Sequence, residues 1–465
     1  MSQFRNTSDC LGPRASRRSV LQLGMWGAFT PISLGGLDGL VRQARASAAE
    51  SSVKTTGRAK SVIMIFQWGG PSQLDTWDPK PEAPAEIRGE FGTIETAVPG
   101  IRISEHFPKL AKHTDKLAII RSMTHDDPAH LSTVHHLLTG QLAPRPKSDA
   151  EPPSSKDWPF IGSMLAKVRP NTGPLPTSVM LPWVVSHPAA PGGKGPGQHG
   201  GWLGHGYDPF YILADPNDPG FQVPGLSLGD GCSIERMDQR MRLMDDLSRN
   251  LENESSNTWA PTHKKAINAV MSATAREAFD LNKETVATRD RYGRHIHGQC
   301  LLLARRMVEA GVPLVTVNWH NDGQNFWDTH GQNFHHLKKR LMPPADRGFA
   351  ALLEDLEARG LLDDTLIVWT GEFGRTPRIN PAIAGREHWP RCYSAVMAGG
   401  GIQGGQTYGT SDRFAAYPAT LPTSPSDIVS TIFHALGIPH DLEIRDQLNR
   451  PLKISCGEPL TSLFG

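Results

Sequence analysis

The sequence predicts an α/β protein with a largely parallel central sheet and long loop insertions, and three observations carry that prediction. Short, uninterrupted apolar runs recur at 61–67 (SVIMIFQ), 117–121 (LAIIR), 312–319 (VPLVTVNW) and 365–370 (TLIVWT), the pattern of strands covered on both faces. Helical patterns separate the runs, as expected when crossovers join parallel strands. Two of the runs lead straight into loops crowded with carboxylates and imidazoles, HNDGQNFWDTH after the third and GEFGRTPRIN followed by GREHW after the fourth. Ligands in open α/β sheets gather off the carboxyl ends of the strands, so Asp328, His330, Glu372 and His388 are expected to converge.

The elements follow in order. The first strand ends at Gly69-Gly70-Pro71. Ser104–Leu110 is expected to open a short helix that leads into the strand at 117–121 and the polar loop SMTHDDPAHLS. A helix over about 132–138 stops at Gly140, where glycine suits the left-handed residue that ends helices. Residues 141–158 read as a surface excursion, and 186–207, richer still in Gly and Pro, as a candidate lid bearing His199, Trp202, His205 and Tyr207. About 238–311 is a helical insertion closed by Gly311. The chain then returns to the sheet at 312–319, forms a helix near 344–359, and adds strands at 365–370 and 393–398. The last amphipathic helix, 427–436, is closed by Gly437 and Pro439. Residues 50–465 are read as a single domain.

The 465 residues are 38% hydrophobic and 20% charged with a formal net charge of +1, which argues against a nucleic-acid partner. At the N-terminus, Ser16-Arg17-Arg18-Ser19-Val20-Leu21, a weakly apolar stretch and an Ala-rich end over 44–49 match a twin-arginine signal. Residues 1–49 are therefore expected to engage the twin-arginine export machinery, which carries folded proteins, and the mature chain to be periplasmic or extracellular. No later segment is apolar enough over 18 residues to span a bilayer. Cys232, Cys300, Cys392 and Cys456 allow up to two disulfides in such a compartment, or buried thiols, and none has zinc-knuckle spacing.

Asp328 and His330 lie two apart, so an extended backbone presents both side chains on one face. Glu372 follows its strand directly, and His388 lies between Glu387 and Trp389. Asp75, in GGPSQLDTWDPKP, is a further candidate ligand, while Asp78 before Pro79 reads as a turn residue. Mixed oxygen and nitrogen ligands favour zinc or manganese and leave calcium or magnesium open. Such an ion would polarise an ester oxyanion and acidify a bound water. Arg375 and Arg386 would offset developing negative charge. The implied reaction is hydrolysis of an anionic ester.

The stretches GGPSQLDTWDPKP, FWDTHGQNF, LEARGLLDDTLIVWTGEFGRTPRIN, GREHWP and GGGIQGGQTYGTSD resemble the exported DUF1501 family, which is related to the alkaline phosphatase and sulfatase superfamily. FPKLAKHTDKLAIIRSMTH, HLLTG and SDIVSTIFHALGI look like units of that superfamily in the same order. The resemblance implies an alkaline-phosphatase-like three-layer fold and an exported metal-dependent hydrolase of sulfate or phosphate esters, including sulfated polysaccharides. Counting back from Thr139-Gly140 puts the superfamily's nucleophile slot at His130, with Ser132 and Thr133 as nearby hydroxyls. Glu372-Phe373 stands where the superfamily carries an Asp-His pair. These departures imply His130 as a ligand or nucleophile, or else a non-catalytic metal- or glycan-binding secreted protein with the same fold.

Overall fold

Strand β1 (Ser61–Phe66) lies at the centre of an eight-stranded sheet, flanked by two partners that are distant in sequence. The computed structural model describes residues 57–223, 272–323 and 326–465, together with Arg236, Gln239, Arg242 and Leu243. The expected signal segment, Cys232 and most of 238–271 lie outside the described residues. The other strands are β2 (Leu117–Met123), β3 (Ser178–Leu181), β4 (Phe210–Tyr211), β5 (Leu314–Asn318), β6 (Thr365–Thr370), β7 (Tyr393–Ala398) and β8 (Gln406–Tyr408). Their order across the sheet is β8-β2-β7-β6-β1-β5-β3-β4. Every adjacent pair is parallel except those made by β7, which runs against both β2 and β6.

Ile65 of β1 stands opposite Val317 of β5 on one side and Trp369 of β6 on the other. All residues of β1, β5, β6 and β7 are buried, which explains why these strands read as continuous apolar runs instead of alternating ones. Five helices matter here: α1 (His130–Thr139), α2 (Ile161–Val168), α3 (Ile296–Glu309), α4 (Met342–Ala358) and α5 (Pro425–Ala435). Helices α3 and α4 pack on each other and α3 on β1 and β5, while α1 packs on α5. Thus α3, expected within a helical insertion, belongs to the layer that covers the sheet.

Local chemistry sets the helix ends. Ser424 and Asp427 form a reciprocal cap at the start of α5, with Asp427 N donating to Ser424 Oγ at 3.2 Å and Ser424 N to Asp427 Oδ2 at 2.8 Å. Gly140 ends α1 at φ 73° and donates to His136 O. The helix expected from Ser104 is displaced. A 3-10 segment, Leu110–Lys116, forms instead, because the Asp346 carboxylate of α4 accepts from the N–H groups of Lys109 and Leu110. Strands β3, β4 and β8, four, two and three residues long, are too short to register as apolar periodicity.

Cys300 and Cys392 are buried free thiols, the second of the two alternatives open in the sequence, and the Cys456 thiol donates to Gln141 Oε1 at 3.3 Å. Among the described residues no helix is long and apolar enough to cross a membrane.

Buried imidazoles make the fold sensitive to acid. Burial and the neighbouring His125 and His135 push His136 down to about 3, and burial lowers His297 as well. Their folded values lie below the unfolded one, near 6.5. Stability is therefore complete above about pH 6.5 and is lost as pH falls toward the folded values. His136 Nε2 donates to Ser426 Oγ at 2.9 Å, a contact that glutamine can imitate without taking up a proton. Denaturant titrations at pH 7 and 5 should show a smaller acid-induced loss for His136→Gln than for the parent. Equal losses would remove His136 from this account.

Candidate metal centre

Three carboxyl-end segments of the sheet are brought within contact distance of one another by close backbone packing. After β1 the chain turns at Gly69 (φ 107°) and Gly70 (φ 79°). A Cβ on Gly69 would lie 2.2 Å from Asp328 N, and one on Gly70 2.5 Å from Phe373 Cδ2. Glycine is required at both positions by conformation and by space. The loop after β5 is fastened to this turn by Trp327 N donating to Trp68 O at 2.9 Å. Strand β6 delivers Glu372 two residues beyond its end, and a short ribbon pairs His388 with Arg375.

Glu372 is fully buried. Its Oε1 accepts from Gly69 N at 2.9 Å and from His130 Nδ1 at 2.7 Å, while Oε2 has no hydrogen-bond partner. His130, the first residue of α1, directs its Nε2 toward Asp328 Oδ2 at 3.4 Å. The other Asp328 oxygen receives Arg375 Nη2 and lies 3.0 Å from His330 Nε2 and 3.2 Å from His388 Nε2. His388 Nδ1 donates to Pro128 O at 2.7 Å, which fixes the tautomer and leaves a lone pair on Nε2 in the neutral ring. That lone pair faces a carboxylate oxygen and, 2.9 Å away, His330 Nε2. Such a contact is favourable only with a proton or cation between the atoms.

One ligand atom each from His130, Asp328 and His388 lie within 4.8 Å of one another. These three residues fit a divalent cation, with Pro128 O bracing His388 and Glu372, expected as a ligand, instead bracing His130 through Nδ1. Trp68 and Phe373 shield the cluster, their ring centres 4.7 and 4.8 Å from that of His130. Burial alone would lower His130, but Asp328 and Glu372 on either side raise it to about 9. Burial would raise Asp328, but Arg375 and the three imidazoles hold it far below the carboxylate range. Burial lowers His388, whereas the hydrogen bond to Asp328 raises His330.

The structure thus brings together Asp328, His330, Glu372, His388 and His130. It does not bring in Asp75, whose carboxylate is filled by Arg386 Nε at 2.8 Å, Arg386 Nη2 at 3.1 Å and Asn333 Nδ2 at 2.9 Å. Arg386, expected to meet developing charge, spends its remaining donors on Thr376 O, Pro377 O and Ile87 O. Arg375 is likewise held by Gly69 O, Gly70 O and Arg386 O as well as Asp328, so it locks the ligands' backbone instead of gripping an oxyanion. Ser132, about 200° around α1 from His130, accepts from Ser148 N at 3.4 Å, away from the cluster. The hydroxyl of Thr133 is bound to Ala129 O.

The expected lid residues pack elsewhere. His199 pairs with Asp157 at 3.1 Å, His205 with Asp208 at 3.0 Å, Trp202 stacks edge-on to Trp158, and Tyr207 lies beneath Lys167. His187, from the same loop and missed in the sequence, has its ring 5.9 Å from that of His130. Nothing in its surroundings, SHPAAPGG, distinguishes it from a surface histidine. The Pro128 carbonyl and the Gly69 N–H, as backbone groups, leave no signal in composition.

With fold and site in view, comparisons place the chain. It belongs to the DUF1501 family, described as proteins of unknown function, whose model matches residues 59–464. No curated protein matches it in sequence. Among solved structures it is similar to the PsFucS1 sulfatase from Pseudoalteromonas sp., with 15% identity over 86% of this chain and 72% of that one at a TM-score of 0.39. It is similar also to the lipoteichoic acid synthase LtaP from Listeria monocytogenes, with 9% identity over 86% and 75% of the two chains at 0.38. A protein in the alkaline phosphatase superfamily from Vibrio parahaemolyticus shows 10% identity over 82% and 67% at 0.33.

Asp328 and Asp75 should separate cleanly on substitution. Asp328→Ala removes a ligand, and metal analysis of the purified protein should show the ion lost. Asp75→Ala leaves Arg386 buried and unpaired, which should cost about 3–5 kcal/mol of stability while the retained ion stays in place. An unchanged metal content in Asp328→Ala would dismiss the cluster as a metal centre.

Proposed function

We propose that this protein is an exported metal-dependent hydrolase of sulfate or phosphate esters, with His130, Asp328 and His388 holding a divalent ion and Glu372 bracing His130. The observation that carries the reading is the convergence of His130, Asp328 and His388 within 4.8 Å beside a buried carboxylate oxygen of Glu372 that has no partner. Two imidazoles and one carboxylate suit zinc or manganese. When bound, the ion would supply Lewis acidity and a more acidic water.

The chain's own residues then have distinct tasks. Glu372 keeps His130 Nδ1 protonated and its ring oriented. Arg375 holds Asp328 ionised and aimed. His330, with a side chain 41% exposed, is the imidazole at the mouth and the N–H nearest to solvent for a departing ester oxygen. Among the described residues near the nucleophile slot no serine or threonine hydroxyl is directed at the cluster, so the reading is direct attack by water. The S–O or P–O bond to the ester oxygen breaks as the bond to the water oxygen forms, the water's proton passes to solvent and the departing oxygen takes one from His330. The Arg-Arg signal motif supports export to the periplasm or beyond, where sulfated polysaccharides are one class of anionic ester the reading takes in.

A second reading, a binding protein that retains the ion without turnover, is favoured by the full occupation of Arg375 and Arg386. Folded mature protein, loaded with zinc or manganese, should cleave an aryl sulfate or aryl phosphate. His388→Ala should lower kcat/KM by at least about a hundredfold together with metal content. Ion retained without any ester cleavage would leave the binding reading in place of the hydrolase.

A further inference from the structure

The segment 125–131 forms one wall of the metal centre. It contributes His130, and its Pro128 O braces His388. Its inner side is tied further by His125, whose Nε2 donates to Glu372 O at 2.8 Å and whose Nδ1 accepts from Asp127 N at 3.2 Å. Its outer side is held by three consecutive residues of the surface excursion. Lys147 N donates to Asp127 Oδ2 at 2.8 Å, Leu131 N to Asp149 Oδ1 at 2.8 Å, and Ser148 N to Ser132 Oγ at 3.4 Å.

This grip answers a local deficiency. Helix α1 starts from Ala129, which has no side-chain oxygen to accept from the first N–H groups of the helix. Asp149 supplies an acceptor from 18 residues downstream, and its charge suits the positive end of the helix. The grip is also easily released. Lys147 holds φ 61°, a left-handed conformation that strains a residue with a side chain. That side chain is 56% exposed and meets Asp126 at 3.4 Å in a solvated pair of little strength. A strained, exposed turn held by a few hydrogen bonds opens locally at low cost.

We propose that residues 147–149 form a clasp whose closure is coupled to the ion, with Asp149 as a positioning residue for the metal centre. The clasp presupposes the metal-centre reading and adds regulation to it. Closed, it fixes 125–131 from outside, so that His130 Nε2 and, through Pro128 O, His388 Nε2 are presented together. Open, it leaves that segment with its inner contacts alone, and the two imidazoles must be ordered when the ion arrives. Coupling of this kind is reciprocal, so an ion that prefers the closed clasp also holds it closed.

Metal affinity and proteolysis read the two directions of that coupling. In competition with a chromogenic chelator, the folded mature chain should bind zinc about tenfold more tightly than Asp149→Ala does, the scale on which contacts outside the ligand set act. Asp149→Asn keeps an oxygen for Leu131 N and should stay within about threefold of the parent. A loss of helix capping alone would lower the melting midpoint of the metal-free protein and leave zinc affinity where it was. Arg145 precedes Pro146 and resists trypsin, which makes Lys147–Ser148 the tryptic bond of the clasp. Zinc should slow its cleavage in the parent about tenfold, measured by mass spectrometry against the bond after the exposed Lys283.

Zinc affinity in folded Asp149→Ala within about twofold of the parent would overturn the clasp, given the size of effect expected. An equal loss in Asp149→Asn would overturn the positioning role, because only the charge would then matter. Cleavage at Lys147–Ser148 that ignores zinc would overturn the coupling, and this arm uses the parent alone, so it decides whether or not Asp149→Ala folds. Zinc bound by the parent with any of these results removes the clasp and leaves the metal centre standing. A parent that binds neither zinc nor manganese removes both.

Discussion

The geometry of the site depends on one buried guanidinium. Arg375 donates to Gly69 O and Gly70 O at the end of β1, to Arg386 O in the ribbon, and to the carboxylate of Asp328 beyond β5, while its own backbone continues from β6. Four segments distant in sequence are therefore fixed by the donors of one planar group, which lysine with its single ammonium cannot reproduce. A buried ion pair is weak evidence for net stability, since desolvation offsets much of the attraction. What the pair supplies is position and charge state, an ionised Asp328 aimed at three imidazoles whether or not a cation is bound.

That constraint explains the charge balance around it. Asp328 and Glu372 bring two negative charges into a shielded volume, and Arg375 cancels one. The remaining charge is met by a proton on His130, which lies between both carboxylates, or by a divalent ion held between His130 Nε2, Asp328 and His388. Proton and ion compete for one place, so occupation by metal carries the release of that proton. The second arginine performs a different task. Arg386 and Asp75 neutralise each other one layer away and tie the 75–87 segment to the ribbon, keeping their charges out of the balance.

The same distinction marks what could be read in the sequence. Strands β1, β5 and β6 were legible because both faces are covered, which removes every charged residue from their runs. The strand-to-loop transitions likewise pointed to Asp328, His330, Glu372 and His388, since the carboxyl end of a parallel sheet is a fixed place that the order of elements reveals. The roles of Asp75, Arg375 and Arg386 were not legible. A charged residue in a loop has the same appearance whether its partner is a ligand or a backbone carbonyl, and only tertiary contact decides. Strands β3 and β4 escaped because strands of four and two residues carry no period, and His187 because it approaches the cluster from a loop with no regular structure.

His130 poses the sharpest chemical constraint. It occupies the first position of α1, where the helix terminus favours an anion, yet its ring is directed at two carboxylates that only a cationic or metal-bound imidazole can satisfy. The following hydroxyls cannot substitute for it. Ser132 projects from another side of the helix and Thr133 returns its proton to Ala129 O, so either would have to break an existing contact and cross the helix surface to reach the cluster. Under the proposed hydrolase reading, neither hydroxyl forms an ester intermediate. On that reading a nucleophile derived from water needs only the open side of the cluster, the side where His330 meets solvent.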